Sequence, residues 1–139
     1  MSSPVPLENR SATYSSTPAE LMPALVYIEK NYREQVTGAQ VAAECSMDTF
    51  CFSRAFKAAF GITFKEYLLR FRVKEACRLL EKPDIPITDV AYLTGFNDPS
   101  YFSKVFKRFV GLAPSAFAAA DDQRDLLNQE RLSLDLGNH

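Results

Sequence analysis

The sequence predicts an all-α fold, with about seven helices arranged as two helix-turn-helix units joined by a long central helix. Three observations predict it. Capping signals and apolar residues at helical spacing recur from Thr17 to Pro114, with no convincing run of alternating strand residues. A block of apolar and cationic positions repeats at an interval of 50 residues. Between the two copies, Thr63 to about Glu81 reads as one uninterrupted helix, ended by Pro83 and Pro86.

In chain order, residues 1–16 carry Ser, Thr, Pro and Asn without periodicity and read as a flexible lead-in. Thr17-Pro18-Ala19-Glu20 has the form of a capping box with proline at the first helical position, and Leu21, Leu25, Ile28 and Tyr32 follow on one face. Thr37-Gly38-Ala39-Gln40 starts a short second helix, and Asp48 caps a third. Thr63-Phe64-Lys65-Glu66 opens the central helix, which at ~19 residues spans ~28 Å. Short helices follow at about 87–94 and 98–110, with a last turn or two from Pro114. The organisation is therefore a first unit at 17–62, a linker helix at 63–81, a second unit at 82–118 and an acidic tail at 119–139. That tail carries Leu126, Leu127, Leu132, Leu134 and Leu136 among acidic residues, a spacing that fits a docking or self-associating amphipathic helix and a frayed acidic terminus equally.

The repeat is the most informative pattern. Phe52, Ala55, Phe56, Ala59 and Gly61 recur as Phe102, Val105, Phe106, Phe109 and Gly111. The first four of each set form a core-facing stripe, and the glycine ends the helix. A second stripe, Phe50, Ser53, Arg54 and Lys57, recurs as Ser100, Ser103, Lys104 and Lys107. Each unit thus has one helix with an apolar face and a hydroxyl-plus-cation face. The preceding helices correspond at an offset of 49, Val41-Ala42 with Val90-Ala91 and Ser46-Met47 with Gly95-Phe96, so the second turn holds one extra residue. Ala42 and Ala91 supply the small residue where two helices cross, and Ser46 and Gly95 stand where the turn needs a left-handed backbone.

Composition excludes several function classes. Apolar residues make up 47% and charged residues 24% of 139, the balance of a soluble globular chain with room for one core. No stretch approaches the ~18–20 apolar residues of a membrane span, and the start has no apolar signal region. Cys45, Cys51 and Cys77 match neither a disulfide framework nor a metal motif, and the single histidine is His139, so no metal site and no cofactor are expected. No nucleophile–base–orienter set or carboxylate pair can be assembled, which argues against an enzyme. Net charge is −1, but Arg54 to Arg108 holds eleven Lys and Arg against six Asp and Glu. A basic middle between acidic ends can still attract a phosphate backbone, because charges beyond a Debye length of ~8–10 Å are screened from one another, so charge permits DNA binding without establishing it.

The residues also resemble a known family. Ser53-Arg54-Ala55-Phe56-Lys57 through Gly61, then Tyr67, Arg72 and Ala76, lead to Ile87-Thr88-Asp89-Val90-Ala91 and to the block from Gly95-Phe96-Asn97-Asp98-Pro99-Ser100-Tyr101-Phe102-Ser103-Lys104 through Lys107, with Gly111-Leu112-Ala113-Pro114-Ser115 behind it. Over residues 18–118 this resembles the DNA-binding domain of the AraC/XylS family of bacterial transcription regulators. The resemblance implies a seven-helix, two-subdomain fold whose third and sixth helices enter neighbouring major grooves of double-stranded DNA, in a cytoplasmic, nucleoid-associated regulator that activates through RNA polymerase. By position it implies base contacts from Thr49, Phe50, Ser53 and Arg54, and from Pro99, Ser100, Ser103 and Lys104. The stripe analysis reaches most of the same residues independently. Lys57, Lys107 and Arg108 fall a turn later and suit phosphate, as do amides at the helix starts near Thr37 and Thr88. Departures from the family pattern are Pro99, which lacks a backbone donor, Ser46 in place of the turn glycine, and Ala118 after Phe117. The family's sensor or dimerisation domain is not contained in the 16 residues before the first helix.

Two bland readings stand beside these. Arg70, Arg72, Lys74 and Arg78 read as a solvated face of the central helix, and Cys51 as a half-buried thiol whose pKa the nearby Arg54 and Lys57 lower. The alternative to DNA binding is a helical protein-interaction module whose basic middle takes an acidic partner.

Overall fold

The computed structural model describes residues 17–82 and 84–120. The lead-in at 1–16 and the acidic tail from Asp121 onward lie outside the described residues. A 3-10 turn at Ala19–Leu21 precedes seven α-helices: α1 Met22–Asn31, α2 Gly38–Glu44, α3 Thr49–Phe60, α4 Phe64–Leu80, α5 Ile87–Leu93, α6 Pro99–Val110 and α7 Pro114–Ala119. There is no strand among the described residues.

The capping residues legible in the sequence do the local work. Thr37 and Gln40 form a reciprocal capping box at α2, with Gln40 N–H donating to Thr37 Oγ1 at 3.2 Å and Thr37 N–H to Gln40 Oε1 at 2.8 Å. Asp48, Thr63 and Asp98 accept from the backbone N–H of Cys51, Glu66 and Ser100 and so start α3, α4 and α6. Gly61 and Gly111 close α3 and α6 in the left-handed region, at φ 80° and 95°. The start of the chain differs from expectation. Regular α-helix begins at Met22 rather than at Pro18, because a 3-10 turn takes up the first residues and Pro23 occupies the first turn of α1 instead.

Two cores form, and the central helix serves both. The first gathers Leu21, Leu25, Ile28, Val41, Phe52 and Phe56 around the N-terminal half of α4, through Phe64, Tyr67, Leu68 and Phe71. The second gathers Val90, Phe96, Phe102, Phe106 and Phe117 around its C-terminal half, through Val73, Ala76, Cys77 and Leu80. In each, successive phenylalanines of one helix meet near 5.6 Å between centroids, Phe52 with Phe56 and Phe102 with Phe106. Full burial of each such ring contributes about 1.5–3 kcal/mol. The fourth member of the predicted stripe is corrected. Ala59 is exposed and Phe109 half-buried, and the buried positions are Phe60 and Val110. A helix drifts around its partner as it lengthens, so the contact passes from i+7 to i+8.

The helix-turn-helix geometry repeats as the sequence does. In both turns the second residue after the left-handed one's predecessor reaches back to the crossing alanine: Met47 N–H donates to Ala42 O at 2.9 Å, and Phe96 N–H to Ala91 O at 3.0 Å. Ala42 and Ala91 are buried. Ser46 has φ 57° and Gly95 φ 96°. The helix caps Asp48 and Asp98 are 50 residues apart while these turns are 49 apart, so the extra residue of the second unit is Asn97.

Candidate nucleic-acid interface

The outer faces of α3 and α6 are built by subtraction. Once Phe52, Phe56 and Phe60 turn inward, helical spacing leaves Thr49, Phe50, Ser53, Arg54 and Lys57 outward, and all five are exposed. Phe50 is the most exposed large apolar residue described, at 68%. The Arg54 guanidinium lies 5.5 Å from its ring centroid, a cation–π pair between two solvent-facing groups. A flat cation beside a flat apolar ring matches a base-pair edge in the major groove: the guanidinium fork suits guanine O6 and N7, and the ring suits a thymine methyl.

On α6, Ser100, Lys104 and Lys107 are exposed, whereas Pro99 and Ser103 are half-buried. Pro99 is the first residue of the helix, where its missing N–H costs nothing, and the Asp98 carboxylate satisfies the Ser100 N–H behind it. Ser100 therefore offers its hydroxyl and Lys104 a point charge.

Several phosphate candidates are placed differently. The Thr37 N–H and hydroxyl oxygen are both engaged in the α2 capping box, so Thr37 itself has no free amide for an anion. Thr88 is exposed as the second residue of α5, after Pro86 at the cap. Arg108 is engaged within the protein: its Nη2 donates to Glu66 Oε1 at 3.2 Å and its guanidinium lies 4.7 Å from the Phe109 ring centroid. Glu66 also holds Arg70 at 2.8 Å, so one carboxylate ties α4 to α6. Lys57 and Lys107, both exposed near the ends of their helices, remain placed for a backbone phosphate.

The Cys51 expectation is overturned. The thiol is exposed, and the Asp48 carboxylate, as hydrogen-bond partner and as a negative charge, pushes it above the ordinary cysteine range. The more weakly felt Arg54 does not compensate.

The two helices approach one another at a single cavity. Ser53 of α3 and Tyr101 of α6 line the same cavity of about 500 Å³, floored by Phe64, Leu68, Leu69 and Arg72 of α4. Sequence reasoning missed Tyr101, which is 45% exposed beside Ser100, because an aromatic residue in a Phe-rich helix reads as core. It also misplaced Arg72, which is half-buried rather than solvated and donates through Nε to Tyr32 O at 2.9 Å and through Nη2 to Glu34 O at 2.8 Å. Burial holds its pKa below the ordinary arginine value.

Comparison with known proteins agrees with this geometry. A helix-turn-helix domain family model matches residues 41–120. The Msm operon regulatory protein of Streptococcus mutans is 30% identical over 112 residues, covering 81% of this chain and 40% of that protein. The HTH-type transcriptional activator RhaS of Klebsiella pneumoniae is 32% identical over 96 residues, covering 69% of this chain and 34% of that protein. The chain thus spans well under half the length of these relatives. Among solved structures, the DNA-binding domain of AdpA in complex with a target DNA superposes with a TM-score of 0.71 at 30% identity, covering 77% of this chain and 96% of that one. With the family model matched from within α2 through α7 and the fold of a DNA-binding domain shared at 30% identity, the chain belongs to the AraC/XylS family of helix-turn-helix regulators.

Proposed function

We propose that this chain binds double-stranded DNA sequence-specifically, with α3 and α6 in adjacent major grooves, and regulates bacterial transcription. The observation that carries the reading is the repeated pair of exposed hydroxyl-and-cation faces, Ser53 with Arg54 and Ser100 with Lys104, on two helices joined by α4. At 17 residues, α4 is ~26 Å long, comparable with the ~34 Å between successive major-groove faces of one duplex. Thr49, Phe50, Ser53 and Arg54 read one half-site, and Ser100, Ser103, Lys104 and the exposed edge of Pro99 the other. Lys57 and Lys107 supply the sequence-independent, salt-dependent part. Arg108 reaches phosphate only by leaving Glu66.

Activation through contact with RNA polymerase, and association with the nucleoid, extend the same reading. Their support is the activator named among the relatives. A selection of bound duplexes from a random pool at fixed salt tests the proposal. It is expected to return a two-part motif whose halves lie ~10–11 base pairs apart, centre to centre. Enrichment of no duplex, together with tight binding to an acidic protein, would favour a protein-interaction module instead.

A further inference from the structure

The two reading units differ where they meet, and the difference centres on Arg72. Its guanidinium bridges the carbonyls of Tyr32 and Glu34, at the C-terminal end of α1 in the first unit. Gly95, the turn glycine of the second unit, lies against the same group. A Cβ there would collide with the Tyr32 carbonyl oxygen and come within 2.8 Å of Arg72 Nε. The first unit, the central helix and the second unit's turn therefore converge on one side chain. Asn97, the one residue by which the second turn exceeds the first, lines a small cavity with Glu34, Gln35, Arg72 and Gly95. Ser46, which stands in the first unit where Gly95 stands in the second, is exposed and keeps its side chain. Two departures of the second unit from the repeat, Gly95 and Asn97, thus fall at the junction.

A guanidinium suits this place. Its planar fork reaches two carbonyls at fixed geometry, it keeps its charge when half-buried, and it complements the negative end of α1. The Tyr32 carbonyl is left over at the helix end and half-buried, so losing the fork leaves it unpaired, while the exposed Glu34 carbonyl in the following turn fixes the direction of the fork. The two cores are separate, and α4 alone, a single helix, does not fix how each packs relative to the other.

We propose that Arg72 is the positioning residue that sets the angle between the two recognition helices and, through it, the half-site spacing the protein accepts. The spacing consequence rests on the DNA-binding reading; the angle does not. Two measurements on the full chain separate them. The first is electron–electron resonance between spin labels at Ala58→Cys on α3 and Ser115→Cys on α7, both exposed, in a Cys51→Ser background. Cys45 and Cys77 are buried and stay unlabelled. The parent gives one narrow distance distribution. Arg72→Met, which keeps the stem and removes every donor, gives a broadened or shifted one at unchanged helicity. If that variant loses helicity, Arg72→Lys, which reaches only one carbonyl, carries the same test. A distribution identical to the parent's in a folded variant overturns the proposal.

The second is affinity for duplexes whose selected half-sites are moved apart one base pair at a time. Each step rotates one half-site by roughly 34° about the duplex. The parent discriminates against a one-base-pair change by about tenfold, and Arg72→Met by about twofold or less, with binding to an isolated half-site unchanged. Equal weakening at every spacing would show a merely structural role and overturn the proposal. Should no duplex bind at all, the DNA reading fails while the resonance result still decides the angle.

Discussion

Arg54 and Lys104 occupy equivalent places in the repeat yet differ in chemistry, and that difference predicts different behaviour from the cations a turn further on. Arg54 has a planar fork and a neighbouring ring, which suit one base step. Lys107 is an exposed point charge at the end of α6, suited to phosphate. Lys107→Ala is therefore expected to weaken all duplexes about equally and to reduce the slope of log affinity against log salt by about 1, read from anisotropy titrations at several salt concentrations. A loss confined to one sequence would contradict the assignment. At Cys51 the raised pKa leaves little thiolate at neutral pH, despite an exposed sulfur. Removing the Asp48 charge reverses this: Asp48→Asn is expected to speed alkylation of Cys51 at pH 7.5, measured by mass spectrometry, and an unchanged or slower rate would show that Asp48 does not govern the thiol. The exposed cations of α3 and α6 are legible as a stripe, since helical spacing alone sorts inside from outside. Cys51 was misjudged because the sequence shows which charges are near in number, not which oxygen a helix cap aims at the sulfur. The ion pair of Arg108 is illegible for the same reason, its partner Glu66 being 42 residues away in the chain.

Helices and turns were the most legible level, because caps and breakers are local chemistry. Thr37, Asp48 and Thr63 each cap the helix their sequence context announces, and Pro86 stands at the start of α5. The start of α1 was less legible, since two prolines, Pro18 and Pro23, compete to begin it and both are tolerated in a first turn. The two helix-turn-helix turns carry the sharpest prediction at this scale. Ser46 and Gly95 share a left-handed backbone, but only Gly95 is crowded. Ser46→Gly is expected to stabilise the protein by about 0.5–1 kcal/mol, by relieving an L-residue of that conformation. Gly95→Ser, the reciprocal change, is expected to cost more than about 2 kcal/mol, because collision with the Tyr32 carbonyl adds to the backbone strain. Urea unfolding midpoints measure both, and equal and opposite effects would mean that the junction at Gly95 has room to spare.

At the scale of the whole molecule, two small cores share one helix, and Ser53 of α3 and Tyr101 of α6 meet at one cavity above it. The sequence showed the duplication and the rod between the copies, because both are patterns along the chain. How one copy faces the other depends on contacts between Arg72, Tyr32, Glu34 and Gly95, spread over more than sixty residues, and no local period marks them. Simultaneous engagement of one duplex by both units is the claim on which the function rests, and comparison of selected motifs tests it most directly. Selections run in parallel for the parent, Arg54→Ala and Lys104→Ala are predicted to share one spacing, with Arg54→Ala losing base preference only in one half of the motif and Lys104→Ala only in the other. If both substitutions erased preference at the same bases, or if neither altered the motif, the two helices would not be reading neighbouring grooves of one DNA.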